Sequence, residues 1–218
     1  MVGSIKRRKF LERMVTGVMA AAGAVGAGRL MGGAAADELT ACVRPPGALR
    51  EKEFLAACIR CGRCADACPN RCIQAFTYDA SDGQTLRPGR GQRNTPVIFP
   101  RQQACMLCNG VSGDTLLCTD ACPTGALQRT QKDTASIAAH VHMGTAEVDT
   151  ELCYSFNGAS CGVCVRACPL EGSALTAGMW EKPLVDPDFC IGCGSCERSC
   201  VRYPQAIRVR PREASDDA

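Results

Sequence analysis

Strand-like apolar stretches recur along the chain, each one short and each beside a cysteine loop. Pro96-Val97-Ile98-Phe99, Ala146-Glu147-Val148-Asp149 and Pro183-Leu184-Val185-Asp186 read as strands. At four further points a small residue precedes a branched apolar one: Cys72-Ile73, Ala126-Leu127, Ala174-Leu175 and Ala206-Ile207. The order strand, cysteine loop, short helix, strand is therefore repeated four times. The first repeat departs from it, because Glu51 to Ala57 reads as helix. A weakly apolar run, Met14 to Gly28, is fifteen residues rich in Ala and Gly, too short and too small-sided for a transmembrane helix.

Aromatic residues are scarce: one Trp, three Tyr and six Phe in 218 residues. A chain of this length, one domain or two small ones, normally builds its core from more large apolar side chains. Eighteen cysteines, about 8% of the chain, are left to hold it together, either as a disulfide scaffold or as metal-cluster ligands. The net charge of +3 is uneven. Residues 1–36 carry Lys6, Arg7, Arg8, Lys9, Arg13 and Arg29 against Glu12 alone, so the other 182 residues hold 19 basic and 21 acidic side chains. The basic excess thus sits in what reads as a targeting segment, and a nucleic-acid partner loses its support.

That segment resembles a twin-arginine (Tat) signal. Arg7-Arg8, a spacer and Phe10-Leu11 match the pattern, while Lys6 and Glu12 depart from its usual flanks. Ala34-Ala35-Ala36 before Asp37 supplies a small-x-small cleavage site. The resemblance implies the Tat export machinery as a partner and a periplasmic location, with membrane association through a partner or a retained signal. Because the Tat route carries folded proteins, a metal cluster could be assembled on reduced thiols before export.

Cysteine spacing decides between scaffold and cluster. Cys58-x2-Cys61-x2-Cys64-x3-Cys68-Pro69 is the bacterial ferredoxin run, in which three cysteines wrap one cubane and the fourth reaches a second. Cys190, Cys193, Cys196 and Cys200 repeat it, with Val201 in place of Pro and Pro204 nearby, which suggests a shifted turn. Cys105-x2-Cys108-x9-Cys118-x3-Cys122-Pro123 and Cys153-x7-Cys161-x2-Cys164-x3-Cys168-Pro169 each open a loop but keep the ending. Sixteen candidate ligands at four per cubane give four [4Fe-4S] clusters. Disulfides would not require this spacing, and zinc favours paired Cys-x2-Cys knuckles, often with His, of which the chain has two.

The remaining candidates carry less. Cys72 falls at the small position that Ala126 occupies, so it reads as a buried small hydrophobe, and Cys42 as a free thiol. Replacing either is expected to leave iron and electron transfer unchanged. His140 and His142 read as solvated loop residues, and Trp180 as packing between the last two motifs. No nucleophile–base pair or phosphate loop is present, so no catalytic residue is nominated and the chain reads as an electron-transfer component rather than an enzyme. Gly62, Gly162, Gly192 and Gly194 let backbone N–H groups approach the sulfurs and tune the potential. Cluster binding is expected to supply much of the folding free energy and to take the body's charge to about −10.

The expected fold class is α+β, two ferredoxin-like lobes of small β-hairpins and short helices built around the clusters and preceded by a signal peptide. The expected segments are a signal (1–36), a lead-in (37–57), four ferredoxin motifs (58–80, 96–130, 145–178 and 183–210) and a disordered tail (211–218).

With these features the chain resembles the NapG/MauM-type ferredoxin family over nearly its whole length. The likeness rests on the Tat-like start, Arg44-Pro45-Pro46-Gly47-Ala48, Cys58-Ile59-Arg60-Cys61-Gly62, and Cys153-Tyr154-Ser155-Phe156-Asn157-Gly158 running to Cys161. It implies a role in quinol dehydrogenation: a membrane-bound iron–sulfur quinol dehydrogenase partner supplies electrons, and a periplasmic cytochrome or molybdenum enzyme accepts them, in nitrate reduction or methylamine utilisation. The alternative is a permanent iron–sulfur subunit of an exported molybdenum oxidoreductase. Likeness to the iron–sulfur subunits of the dimethyl sulfoxide reductase type favours a nested pairing, motif one with four and two with three. Chain order gives one with two and three with four instead.

Overall fold

The computed structural model describes residues 39–77 and 86–212. The signal segment 1–36, residues 78–80 of the first motif segment and residues 213–218 of the tail lie outside the described residues. The described residues from Leu39 to Arg212 make one compact unit.

Two halves of this unit follow one plan. In the second half, strand β3 (Gly144–Val148) pairs antiparallel with β6 (Ile207–Pro211), and β4 (Leu175–Ala177) with β5 (Pro183–Val185). In the first half, β1 (Ile73–Ala75) pairs with β2 (Pro96–Ile98), the counterpart of β4 with β5. All three sequence-expected strands form. The branched residue opens a strand in three of the four places, at Ile73, Leu175 and Ile207.

Leu127 is the exception. It makes a single antiparallel bridge with Ala48, where its counterpart Ile207 begins a five-residue ladder opposite Val148. The equivalence is close: Leu49 N donates to Ala126 O at 3.1 Å as Asp149 N donates to Ala206 O at 2.7 Å. The outer ladder is cut short because Pro45 and Pro46 lack N–H groups and the chain then turns into helix α1 (Glu51–Ala57). Glu51 and Glu53 in the first turn suit the positive end of that helix, and Phe54 is its buried residue.

The lead-in is fastened to the first half by a buried ionic network. Arg44 donates to Glu51 (2.5 and 2.9 Å), to Thr95 Oγ1 (2.8 Å) and to Pro96 O (2.9 Å), and its guanidinium lies 4.7 Å from the Phe54 ring centre. Gln92 completes the carboxylate's shell at 2.7 Å. Burial opposes ionisation of Glu51, but the hydrogen bonds and charge of Arg44 hold its carboxyl below the usual range.

Four further helices are a turn or so long and follow cysteine loops: α2 (Arg63–Asp66), α3 (Leu117–Asp120), α5 (Val163–Arg166) and α6 (Ser195–Ser199). Helix α4 (Thr134–His140), capped by the Asp133 carboxylate on Ser136 N at 2.9 Å, connects the halves. His140 ends it and His142 follows in an irregular stretch, both exposed.

Cysteines are part of the core itself. Cys64, Cys72, Cys105 and Cys118 pack with Phe54, Ile73, Ile98 and Leu116 in the first half, and Ile191 and Cys193 of the second half join the same cluster. The second half's own cluster is smaller: Ala146, Val165, Leu175, Cys196 and Ile207.

Candidate iron–sulfur centres

The sixteen motif cysteines gather in four cavities, four to each. Cys58, Cys61 and Cys64 are joined by Cys122, and Cys105, Cys108 and Cys118 by Cys68. Cys153, Cys161 and Cys164 are joined by Cys200, and Cys190, Cys193 and Cys196 by Cys168. Every fourth cysteine thus crosses to the cavity of a neighbouring motif, as the ferredoxin run requires.

The crossing pairs motif one with two and motif three with four, which corrects the nested expectation. Its physical cause is local. The hairpins β1–β2 and β4–β5 join consecutive motifs, and helices α2 with α3 and α5 with α6 pack as partners. The pairs meet where Cys105 N donates to Cys193 O at 2.9 Å, so the cavities succeed one another in the order first, second, fourth, third.

Backbone N–H groups converge on the sulfurs. Cys68 accepts from Asn70, Cys72 and Ile73, and Cys122 from Thr124, Ala126 and Leu127, the same offsets in both motifs. The contacts include Leu127 N to Cys122 Sγ (3.4 Å), Ala146 N to Cys190 Sγ (3.4 Å) and Ala206 N to Cys200 Sγ (3.4 Å). The small-then-branched pairs after the first, second and fourth motifs therefore supply donors as well as core, whereas Ala174 N donates to Leu170 O at 3.0 Å. After Cys200 the turn to Ala206 is two residues longer than that from Cys122 to Ala126, and with Val201 in place of Pro Cys200 lines the third cavity.

The opened third motif is a folded turn. Tyr154–Phe156 form a 3-10 turn, and the Asn157 amide donates to the carbonyls of Thr150 (2.9 Å), Glu151 (3.1 Å) and Cys153 (2.8 Å). Of the four glycines singled out, Gly192 is the most constrained: φ is +71°, and a Cβ there would lie 2.5 Å from Gly144 N and O.

The donor chemistry fits cubanes. Each cavity is lined by four motif thiols, the ligand set that a [4Fe-4S] cluster takes. Burial pushes the Cys64, Cys164 and Cys193 thiols up to about 11, so their ionisation depends on metal replacing the proton.

Three side chains behave unlike their sequence expectation or were missed. Trp180 does not pack between motifs: it is 65% exposed, held with φ +63° at the tip of the β4–β5 hairpin. The tip turns outward because Glu181 is tied down by Ser160 (2.8 Å) and Arg166 (3.0 Å). Cys72 is buried as expected, yet it also lines the second cavity, with its Sγ 3.5 Å from Cys68 Sγ. Contact with Cys72 and with N–H groups holds the Cys68 thiol down at about 5. A thiol at a position filled by Ala in the other three motifs was the available signal. Arg44 was noticed only as part of a motif, and its buried partners could not be read from spacing. Cys42 is a free buried thiol beside Phe76 and Val97, pushed up to about 12 by burial.

Residues 57–126 and residues 145–201 each match the model of a 4Fe-4S dicluster domain, and each match spans one consecutive pair of motifs. The chain is 40% identical over 179 residues to the methylamine utilization ferredoxin-type protein MauM of Paracoccus denitrificans, covering 78% of this chain and 72% of that one. Identity to MauM of Methylobacillus flagellatus is 37%, over 78% and 69%. The ferredoxin-type protein NapG of Escherichia coli is 36% identical over 219 residues, 94% of this chain and 85% of that one. Fold, cysteine geometry and domain matches together define a ferredoxin-type iron–sulfur electron-transfer protein with two dicluster domains. The chain belongs to the family of MauM and NapG ferredoxin-type proteins.

Proposed function

We propose that the protein holds four [4Fe-4S] clusters, one per cavity, on the sixteen motif cysteines, and serves as an exported relay. Electrons come from a membrane-bound iron–sulfur quinol dehydrogenase partner and pass to a periplasmic cytochrome or molybdenum enzyme in nitrate reduction or methylamine utilisation. When bound, the cubanes supply one-electron chemistry without proton transfer. The protein's own residues fix the thiolates and donate N–H bonds to them. The observation that carries the reading is the crossing of Cys68, Cys122, Cys168 and Cys200 into neighbouring cavities, which gives every cavity its four thiols. Export rests on Arg7-Arg8 and the small residues before Asp37.

Anaerobically purified protein is expected to contain close to sixteen irons per chain, and Cys122→Ser or Cys200→Ser to lose or weaken one cluster. A count near eight, or zinc in place of iron, overturns the four-cluster reading. Arg7→Lys with Arg8→Lys should strand the loaded protein in the cytoplasm; periplasmic delivery of that variant removes the Tat assignment. Co-purification in a fixed ratio with a large catalytic subunit would make the chain a permanent subunit instead of a carrier.

A further inference from the structure

We propose that the Cys72 thiol is a potential-setting donor: it gives a hydrogen bond to the Cys68 sulfur and raises the reduction potential of the second cluster alone. The inference rests on the four-cluster reading above. Its basis is that five cysteines, not four, line the second cavity. Cys68, Cys105, Cys108 and Cys118 come from the ferredoxin frame, and a cubane takes one thiolate per iron, so the fifth thiol has no iron left to bind. Cys72 is 2% exposed, and its Sγ lies 3.5 Å from Cys68 Sγ, within reach of an S–H···S bond. With Cys68 bound to iron as a thiolate, Cys72 is the partner that carries an S–H and so is the donor across the 3.5 Å contact.

The effect is local because the position is chemically unique. The equivalent residues of the other motifs are Ala126, Ala174 and Ala206, which carry no side-chain donor. Hydroxyls lie near sulfurs of the neighbouring cavities, Thr124 Oγ1 3.8 Å from Cys122 Sγ and Ser195 Oγ 3.7 Å from Cys193 Sγ, but among the described residues a second thiol beside a fourth-cysteine sulfur occurs only at the second cavity. A donor draws negative charge from the ligand sulfur and favours the more negative, reduced cluster, which raises the potential.

The experiment compares loaded wild-type protein with Cys72→Ala and Cys72→Ser by iron analysis and by redox titration followed with electron paramagnetic resonance. Both variants should keep the wild-type iron content. In Cys72→Ala, one of the couples should shift so that its reduced-to-oxidised ratio at the wild-type midpoint falls about threefold to tenfold, tenfold being about 59 mV for a one-electron step. Cys72→Ser, which keeps a hydroxyl donor, should recover most of that shift. Unchanged couples in Cys72→Ala overturn the proposal, as does a serine variant that shifts as far as the alanine one, since volume alone would then explain the effect. Loss of about four irons from Cys72→Ala overturns it by making Cys72 a ligand. Wild-type iron, counted first, tests the four-cluster reading separately, and a shortfall at the second cavity overturns both.

Discussion

The two halves hold the same cysteine geometry in different frames. The second half closes with a five-residue outer ladder, β3 on β6, over a cluster of five buried residues. The first half reduces that ladder to the Ala48–Leu127 bridge and gains helix α1, the Arg44–Glu51 pair and a larger core. What both retain is the inner hairpin, the paired helices and the crossed fourth cysteine. The cluster frame therefore needs only its inner parts, and the outer closure can be made of strands or of a helix fastened by an ion pair.

Iron removal should separate the halves most strongly. Chelation under anaerobic conditions is expected to cost both most of their hydrogen-exchange protection, with the second half falling further because its own cluster has only Ala146, Val165, Leu175 and Ile207 as buried residues besides cysteine. Equal residual protection would mean that the larger first core adds nothing of its own.

A smaller effect, confined to the first half, is expected from Arg44→Met. The side chains of Arg44 and Glu51 are only 8% and 14% exposed, so removing the guanidinium leaves a buried carboxylate without its partner, at about 3–5 kcal/mol. Native-state hydrogen exchange should place the loss in residues 40–57 and 92–98. The pH dependence supplies the sign. Glu51 has a lowered pKa in the folded protein, so its stabilisation is present at neutral pH and is lost as pH falls through that lowered value. In Arg44→Met the slope should reverse, because protonation then relieves the stranded carboxylate.

The smallest effects distinguish one glycine in each half. Gly62 and Gly192 have left-handed φ values of +78° and +71°, but a Cβ at Gly62 meets nothing, whereas one at Gly192 meets the Gly144 backbone. Gly62→Ala should cost about 1–2 kcal/mol from conformation alone. Gly192→Ala should add about 1–3 kcal/mol of overlap and detach β3, visible as lost protection at Gly144 to Ala146.

Much of this architecture was legible because cysteine spacing and strand pattern are local. The three strands, the helix over Glu51 to Ala57 and the gathering of the sixteen cysteines all follow from short-range chemistry. Pairing was less legible: the Cys-x3-Cys ending is alike in all four motifs, so spacing alone does not say which neighbour Cys68 reaches. The hairpins between consecutive motifs decide it, and they depend on hydrogen bonds across loops of unequal length. Trp180 was misread because apolar residues are ordinarily packed, and nothing near it in the chain reveals that Glu181 anchors the hairpin tip outward. The role of Arg44 depends on Thr95 and Pro96, some fifty residues away.

Consecutive crossing also has a consequence for biogenesis. All eight motif cysteines of the first half, Cys58 to Cys122, are synthesised before Cys153. A nested pairing would hold the first motif's cavity open until Cys200 had been synthesised. With the observed crossing, the cell's iron–sulfur assembly factors can complete the first half while the second is still being translated. The cofactors can thus be loaded in two instalments, and a nascent chain exposes no more than one half's unmetallated thiols to oxygen at a time.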